Sequence, residues 1–181
     1  ILGLLIFVGG PIVASFGLSL TQYDILSAPK FVGLDNYQRA FFDDRLFWSS
    51  LGRTAYYSFV SVPLLLFGAL FLAMLLNQKL HGTNVFRTLF FLPHLTPDVA
   101  MAILWVWLLH PKLGPINTYI MGPLGFPEFP WLTDKRTVIP ALILIVFWAG
   151  VGGNRMLIFL AGLQGVPSSL YEAADLDGAG A

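Results

Sequence analysis

Apolar residues gather into long unbroken blocks along this chain, not into the dispersed pattern of a soluble core. Four blocks approach the roughly 20 apolar residues that a bilayer-crossing helix needs. They are residues 1–20 (ILGLLIFVGGPIVASFGLSL), 54–76 (TAYYSFVSVPLLLFGALFLAMLL), 89–109 (LFFLPHLTPDVAMAILWVWLL) and 137–160. The fourth is the least clean, with Asn154 and Arg155 inside it. Peptide groups in hydrocarbon must be satisfied within the segment, so each block is expected to be a helix. The expected fold is all-α, a polytopic transmembrane bundle with about four spans. The competing reading is a soluble protein with deeply buried helices. The first block lacks the basic n-region of a signal peptide. Because the sequence opens inside that block and stops abruptly at Ala181, it reads as a fragment of a longer protein.

The connections differ in kind. Leu34, Tyr37, Phe41, Trp48 and Leu51 recur at roughly helical spacing. They predict an amphipathic helix lying at the membrane surface with its aromatic rings at headgroup level. Residues 77–87 (NQKLHGTNVFR) read as a short polar turn, and 110–136 as an irregular segment rich in Pro and Gly.

Composition narrows the function. The 181 residues are 56% hydrophobic and only 11% charged, with zero net charge. A soluble domain carries about 25% charged residues. There is no basic footprint for nucleic acid. With no cysteine, disulfides, thiolate metal sites and cysteine nucleophiles are excluded.

The final stretch departs from everything before it. After Pro167 comes SSLYEAADLDGAGA. Ser169 and Glu172 have capping-box spacing, Ala173 and Ala174 are strong helix formers, and Gly178 is placed to end the helix in a left-handed conformation. A short helix and a tight turn are expected, with a low surface that another protein can approach. An ordinary capped helix in a loop would have the same spacing.

This segment resembles the EAA loop of binding-protein-dependent ABC importer permeases, Glu-Ala-Ala followed by three residues and Gly. Here it reads Glu172-Ala173-Ala174-Asp175-Leu176-Asp177-Gly178. Phe31–Phe41 (FVGLDNYQRAF), Phe86–Pro93 (FRTLFFLP), Leu113–Asn117 (LGPIN) and Ile158–Gly180 also resemble the carbohydrate-type subfamily, in order and spacing. The resemblance implies one transmembrane domain of a permease, with 164–181 a truncated coupling loop on the cytoplasmic side of a prokaryotic inner membrane. It implies a second permease subunit, a solute-binding protein outside and two ATPase subunits inside, which hold the ATP and Mg; this chain would bind no cofactor itself. The coupling surface would be Glu172, Ala173, Ala174 and Gly178, with Asp177 a further candidate. The chain contains no G-x-x-x-x-G-K-[ST] phosphate loop, so hydrolysis would fall to a partner.

Polar groups within a span mark a pathway by default. In the third block these are His94, Thr96 and Asp98, between helix-breaking Pro93 and Pro97; in the fourth they are Asn154 and Arg155. Each could line the translocation path, or lie near the surface and simply be wet. Trp105, Trp107 and Trp148 could stack on sugar rings or serve as packing and interface anchors. An ion-gradient-driven transporter using His94 and Asp98 remains an alternative. So does a membrane enzyme using His94, Asp98 and His110, although no third metal ligand lies near the first two. One count runs against the orientation that the resemblance implies. The outer loops would carry seven Lys and Arg (Lys30, Arg39, Arg45, Arg53, Lys112, Lys135, Arg136), against Lys79 and Arg87 in the inner turn, whereas basic residues favour the inside.

Overall fold

A computed structural model of the chain describes residues 2–24, 26–78, 82–126 and 128–179. Ile1, Lys79, Gly180 and Ala181, which figure in the expectations above, lie outside the described residues. The chain forms two compact units, residues 1–54 and 55–181.

The first unit opens with helix α1 (Leu2–Ser19), long and apolar enough to cross a membrane. It contains a π-turn at Leu5–Gly9, and Pro11 sits at the start of the regular turns that follow. Two short strands, β1 (Thr21–Gln22) and β2 (Lys30–Phe31), pair antiparallel behind it. The Asn36 side chain donates to the carbonyls of Ser19 and Thr21, both at 2.9 Å, tying the next turn to the end of α1.

The surface helix expected around residues 34–51 is not a single element. Helix α2 (Asp35–Gln38) runs into a π-turn ending at Asp43. Asp44 then turns extended, and its carboxylate accepts the Leu46 N–H at 2.8 Å. An aspartate placed so caps a new helix, and α3 (Arg45–Asn77) begins there. Trp48 and Leu51 therefore belong to the first turns of a 33-residue helix. The Trp48 indole N–H donates to the Phe41 carbonyl at 2.8 Å, and the Phe41, Phe47 and Trp48 rings pack edge-to-face or tilted.

The second span thus starts nine residues earlier than the apolar block at 54. Pro63 lies inside it without ending the helix. A proline removes one backbone donor, and membrane helices accommodate that through local adjustment.

In the second unit the remaining two apolar blocks are bent pairs. Helix α4 (Thr83–Phe91) and a 3₁₀ turn (Leu92–Leu95) meet α5 (Asp98–Leu108) at 95°. Residues 83–87, read above as turn, are already helical. The expected third span is consequently a right-angled broken span or re-entrant element. Pro93 and Pro97, which lack N–H groups, bracket the break. Helix α6 (Val138–Gly150) meets α7 (Asn154–Gln164) at 48° across Val151-Gly152-Gly153. Among the described residues, two helices qualify as spans by length and composition, or up to four if each bent pair counts as one.

Among the described residues, two buried clusters hold this unit. In the first, Ala69, Ala73 and Leu76 of α3 meet Met156 and Leu160 of α7. Small residues at a helix contact let backbones approach, which drives association where lipid removes the usual hydrophobic gain. Gly68 continues this face: a Cβ there would lie 2.6 Å from the Phe147 ring. In the second, Met101 and Trp105 of α5 and Leu109 just beyond it pack on Ala141 of α6, with Ile116, Trp131 and Leu132 of the following loop against them.

The loop 110–137 is organised by buried Asn117. Its amide donates to the Pro111 and Phe129 carbonyls, each at 2.9 Å, and its oxygen accepts the Trp131 indole N–H at 2.7 Å. Three loop segments thus share one side chain. Asn117→Ala leaves two carbonyls and an indole without this partner, and each buried unsatisfied group costs about 1–3 kcal/mol. Hydrogen exchange across 110–137 should accelerate while α3 and α7 keep their protection. Ala73→Leu should instead overpack the first core by about 1–3 kcal/mol, read as a lower melting temperature in detergent than exposed Phe71→Leu gives.

Candidate functional site

After α7 the chain turns through Pro167 into α8 (Ser168–Leu176). Ser168 opens the helix, so Ser169 sits in its first turn and not at the cap, and the expected Ser169–Glu172 capping box is off register by one or two positions. Pro167, which has no N–H to satisfy, precedes the helix, and its carbonyl accepts the Leu170 N–H at 3.1 Å. The other end is as expected. Gly178 has φ +76°, and the Ala179 N–H returns to the Ala174 carbonyl at 3.0 Å. That bond, reaching back across a left-handed glycine, is the Schellman closure.

Helix α8 presents an uncovered face. Glu172 and Ala173 are exposed, as are Asp177 and Gly178, and Ala174 is half-buried. Leu170, Tyr171 and Leu176 are exposed too, Leu176 by 89%. No Cβ placed on Gly178 would meet anything, so its role here is conformational: a side chain at that φ is strained. The side chain of Asp175 lies outside the described residues.

The pathway candidates separate into two groups. His94 lies within the 3₁₀ turn, 5.4 Å between ring centroids from Phe91, and sits against Gly153, where a Cβ would be 3.0 Å from its ring. Thr96 N–H bonds the Pro93 carbonyl at 3.2 Å. Asp98 is exposed in the first turn of α5, where its charge suits the helix dipole. Asn154 and Arg155 open α7 and are exposed. A Cβ at Gly150 would come 3.6 Å from the Arg155 guanidinium. The structure therefore brings His94 to the Gly152–Gly153 break immediately before Asn154 and Arg155. Sequence reading selected the polar residues at both breaks but missed the glycines that bring them together; GVGG was the available signal.

The tryptophans split as well. Trp105 is 7% exposed and belongs to the second core, while Trp148 is 44% exposed. Their rings meet edge-to-face at 5.6 Å. Trp107 faces outward from α5. The Trp105 Nε1 is buried without a hydrogen-bond partner among the described residues. Trp148 lines an apolar groove of about 420 Å³ with Phe86, Leu89, Phe90, Pro93 and Val151. Among the described residues, no group of three His, Cys, Asp or Glu is placed to hold a metal.

No family model matches the chain. Among curated proteins, it is 42% identical over 180 residues to the probable ABC transporter permease protein YesP of Bacillus subtilis, covering 99% of this chain and 57% of that protein. Over nearly its whole length the chain is a homologue of ABC transporter permeases. The arabinooligosaccharides transport system permease protein AraP of Bacillus subtilis is 34% identical over 180 residues, covering 99% of this chain and 56% of that protein. Among solved structures, a bacterial ABC transporter involved in import of the acidic polysaccharide alginate superposes with a TM-score of 0.79 at 25% identity. The match covers 99% of this chain and 59% of that one. The chain thus spans nearly three fifths of the length of these permeases. The expected all-α membrane fold agrees with this likeness, and the chain is a membrane protein by family and by its apolar helices.

Burial fixes which tryptophan matters for what. Trp105→Ala should cost about 3–5 kcal/mol of stability, as for other buried large-to-small changes, whereas Trp148→Ala should cost markedly less. Denaturant titration in detergent distinguishes them. Single cysteines at Asp98 and Asn154 should react with a water-soluble thiol reagent in membranes, and one at Met101 should not.

Proposed function

We propose that this chain is part of a permease subunit of an ATP-driven importer for saccharides or related polar solutes, in the inner membrane of a prokaryote. The observation that carries the reading is α8. It is an exposed helix of small and acidic residues, closed by a left-handed glycine and following directly on the membrane helix α7. Such a surface fits a cleft on another protein, and its Glu172-Ala173-Ala174…Gly178 pattern is that of the EAA loop. The partners would be two ATPase subunits inside, which bind ATP and Mg and perform the hydrolysis, together with a second permease subunit and an external solute-binding protein. This chain would contribute transport and no catalysis. The carbohydrate class is supported by AraP, named for arabinooligosaccharides, and by the alginate importer.

Substrate would pass the polar residues gathered at the two helix breaks, His94, Thr96, Asp98, Asn154 and Arg155, with exposed Trp148 available for stacking on a sugar ring. Its neighbour Trp105 keeps a buried donor without a partner among the described residues, a group that a hydroxyl or a water would satisfy.

In the full-length protein, Gly178→Trp combines a bulky side chain with a backbone conformation that disfavours any side chain. Copurification with the ATPase should fall, or ATP hydrolysis should continue without uptake. Unchanged assembly together with unchanged uptake contradicts the coupling role of this turn.

A further inference from the structure

The two helix breaks of the second unit are in contact, and glycine makes the contact possible. A Cβ on Gly152 would overlap the Phe90 carbonyl oxygen, and one on Gly153 would sit 3.0 Å from both Cγ and Nδ1 of His94. On the other side of the same break, a Cβ on Gly150 would be 3.1 Å from Leu65 of α3. Neither Gly152 nor Gly153 has a positive φ, so close approach and not backbone conformation calls for glycine here. The joint also divides the two cores. Met156 and Leu160 of α7 pack with α3, and α8 follows directly on α7. Ala141 of α6 packs with α5 and the loop beyond it. Packed cores shift as bodies and do not deform continuously, so displacement of one body relative to the other concentrates where they adjoin.

We propose that Gly152 and Gly153 are positioning residues: seated against the Phe90 carbonyl and the His94 ring, they pass movement of the α7–α8 body to the α4–α5 break. The inference rests on the importer reading above. The contact at Gly152 is with the backbone of α4, so any side chain there displaces the helix that leads into the break. The contact at Gly153 is with a side chain, so its fit can be restored by changing size on the opposite face.

The test uses the full-length permease assembled with its partner subunits, with spin labels on exposed Ile103 of α5 and Ile158 of α7, read without nucleotide and after trapping with ATP and vanadate. The unsubstituted protein should show a shift in the label distance. Gly153→Val should lose the shift, and His94→Ala, which adds no bulk, should diminish it. The pair Gly153→Val with His94→Ala should recover it, because bulk moved across the contact refills it. Melting temperatures of the same variants in detergent are read alongside: loss and recovery of the shift at unchanged melting temperature support the joint, and a shift that only follows the melting temperature overturns it. A full shift in both single variants overturns the joint. So does an absent shift in an unsubstituted complex that assembles and hydrolyses ATP, which leaves the importer reading standing. Failure of the unsubstituted permease to assemble with any ATPase removes the importer reading and the joint with it.

Discussion

Peptide groups in hydrocarbon have no water to bond, so a helix can break at membrane depth only where protein or a wet cavity receives the freed groups. This chain breaks two of its apolar segments, by 95° and 48°, and sets one break against the other. The contact depends on atoms that are missing: side chains at Gly152 and Gly153 would collide with the Phe90 carbonyl and the His94 ring. Much of what lies around it follows. His94 comes against the glycines that precede Asn154 and Arg155, Trp148 and Pro93 come to line one groove, and the two cores fall on either side.

The same logic explains the unequal packing of the helices. Helix α3 buries a stripe of small residues, Ala69 and Ala73 with Gly68 beside them, while Phe67 and Phe71 point outward. In water that distribution would be a liability. Against lipid it is the natural division between a close helix contact and a surface that tails or another subunit can cover.

The sequence made the membrane character, the four apolar segments and the terminal helix with its Gly178 turn legible, because each depends on composition or on a local backbone rule. Other features were not legible, for physical reasons. The surface helix around Trp48 dissolved because Asp44 caps a new helix, and Leu34, Tyr37, Phe41 and Trp48 have spacings that either arrangement satisfies. The capping box at Ser169 failed by a small shift in register because the helix already begins at Ser168, directly after Pro167. The angle at residues 95–98 and the meeting of the two breaks are tertiary facts. Prolines announce a break but not its size, and GVGG announces close approach but not the partner. The role of Asn117 was hidden similarly, since LGPIN names the residue but not the Phe129 carbonyl and Trp131 indole that it gathers.

The central claim is that α8 is offered to an ATPase in the cytoplasm. The distribution of Lys and Arg between loops argues for the opposite sidedness, so location is the quantity to measure. With no cysteine in these 181 residues, Ser169→Cys in a full-length protein cleared of other cysteines supplies a single reporter on an exposed position. Intact cells are treated with a membrane-impermeant thiol reagent and compared with lysed ones. The account predicts protection in intact cells and labelling after lysis. Labelling in intact cells would place α8 outside, beyond reach of any ATPase, and would contradict the account.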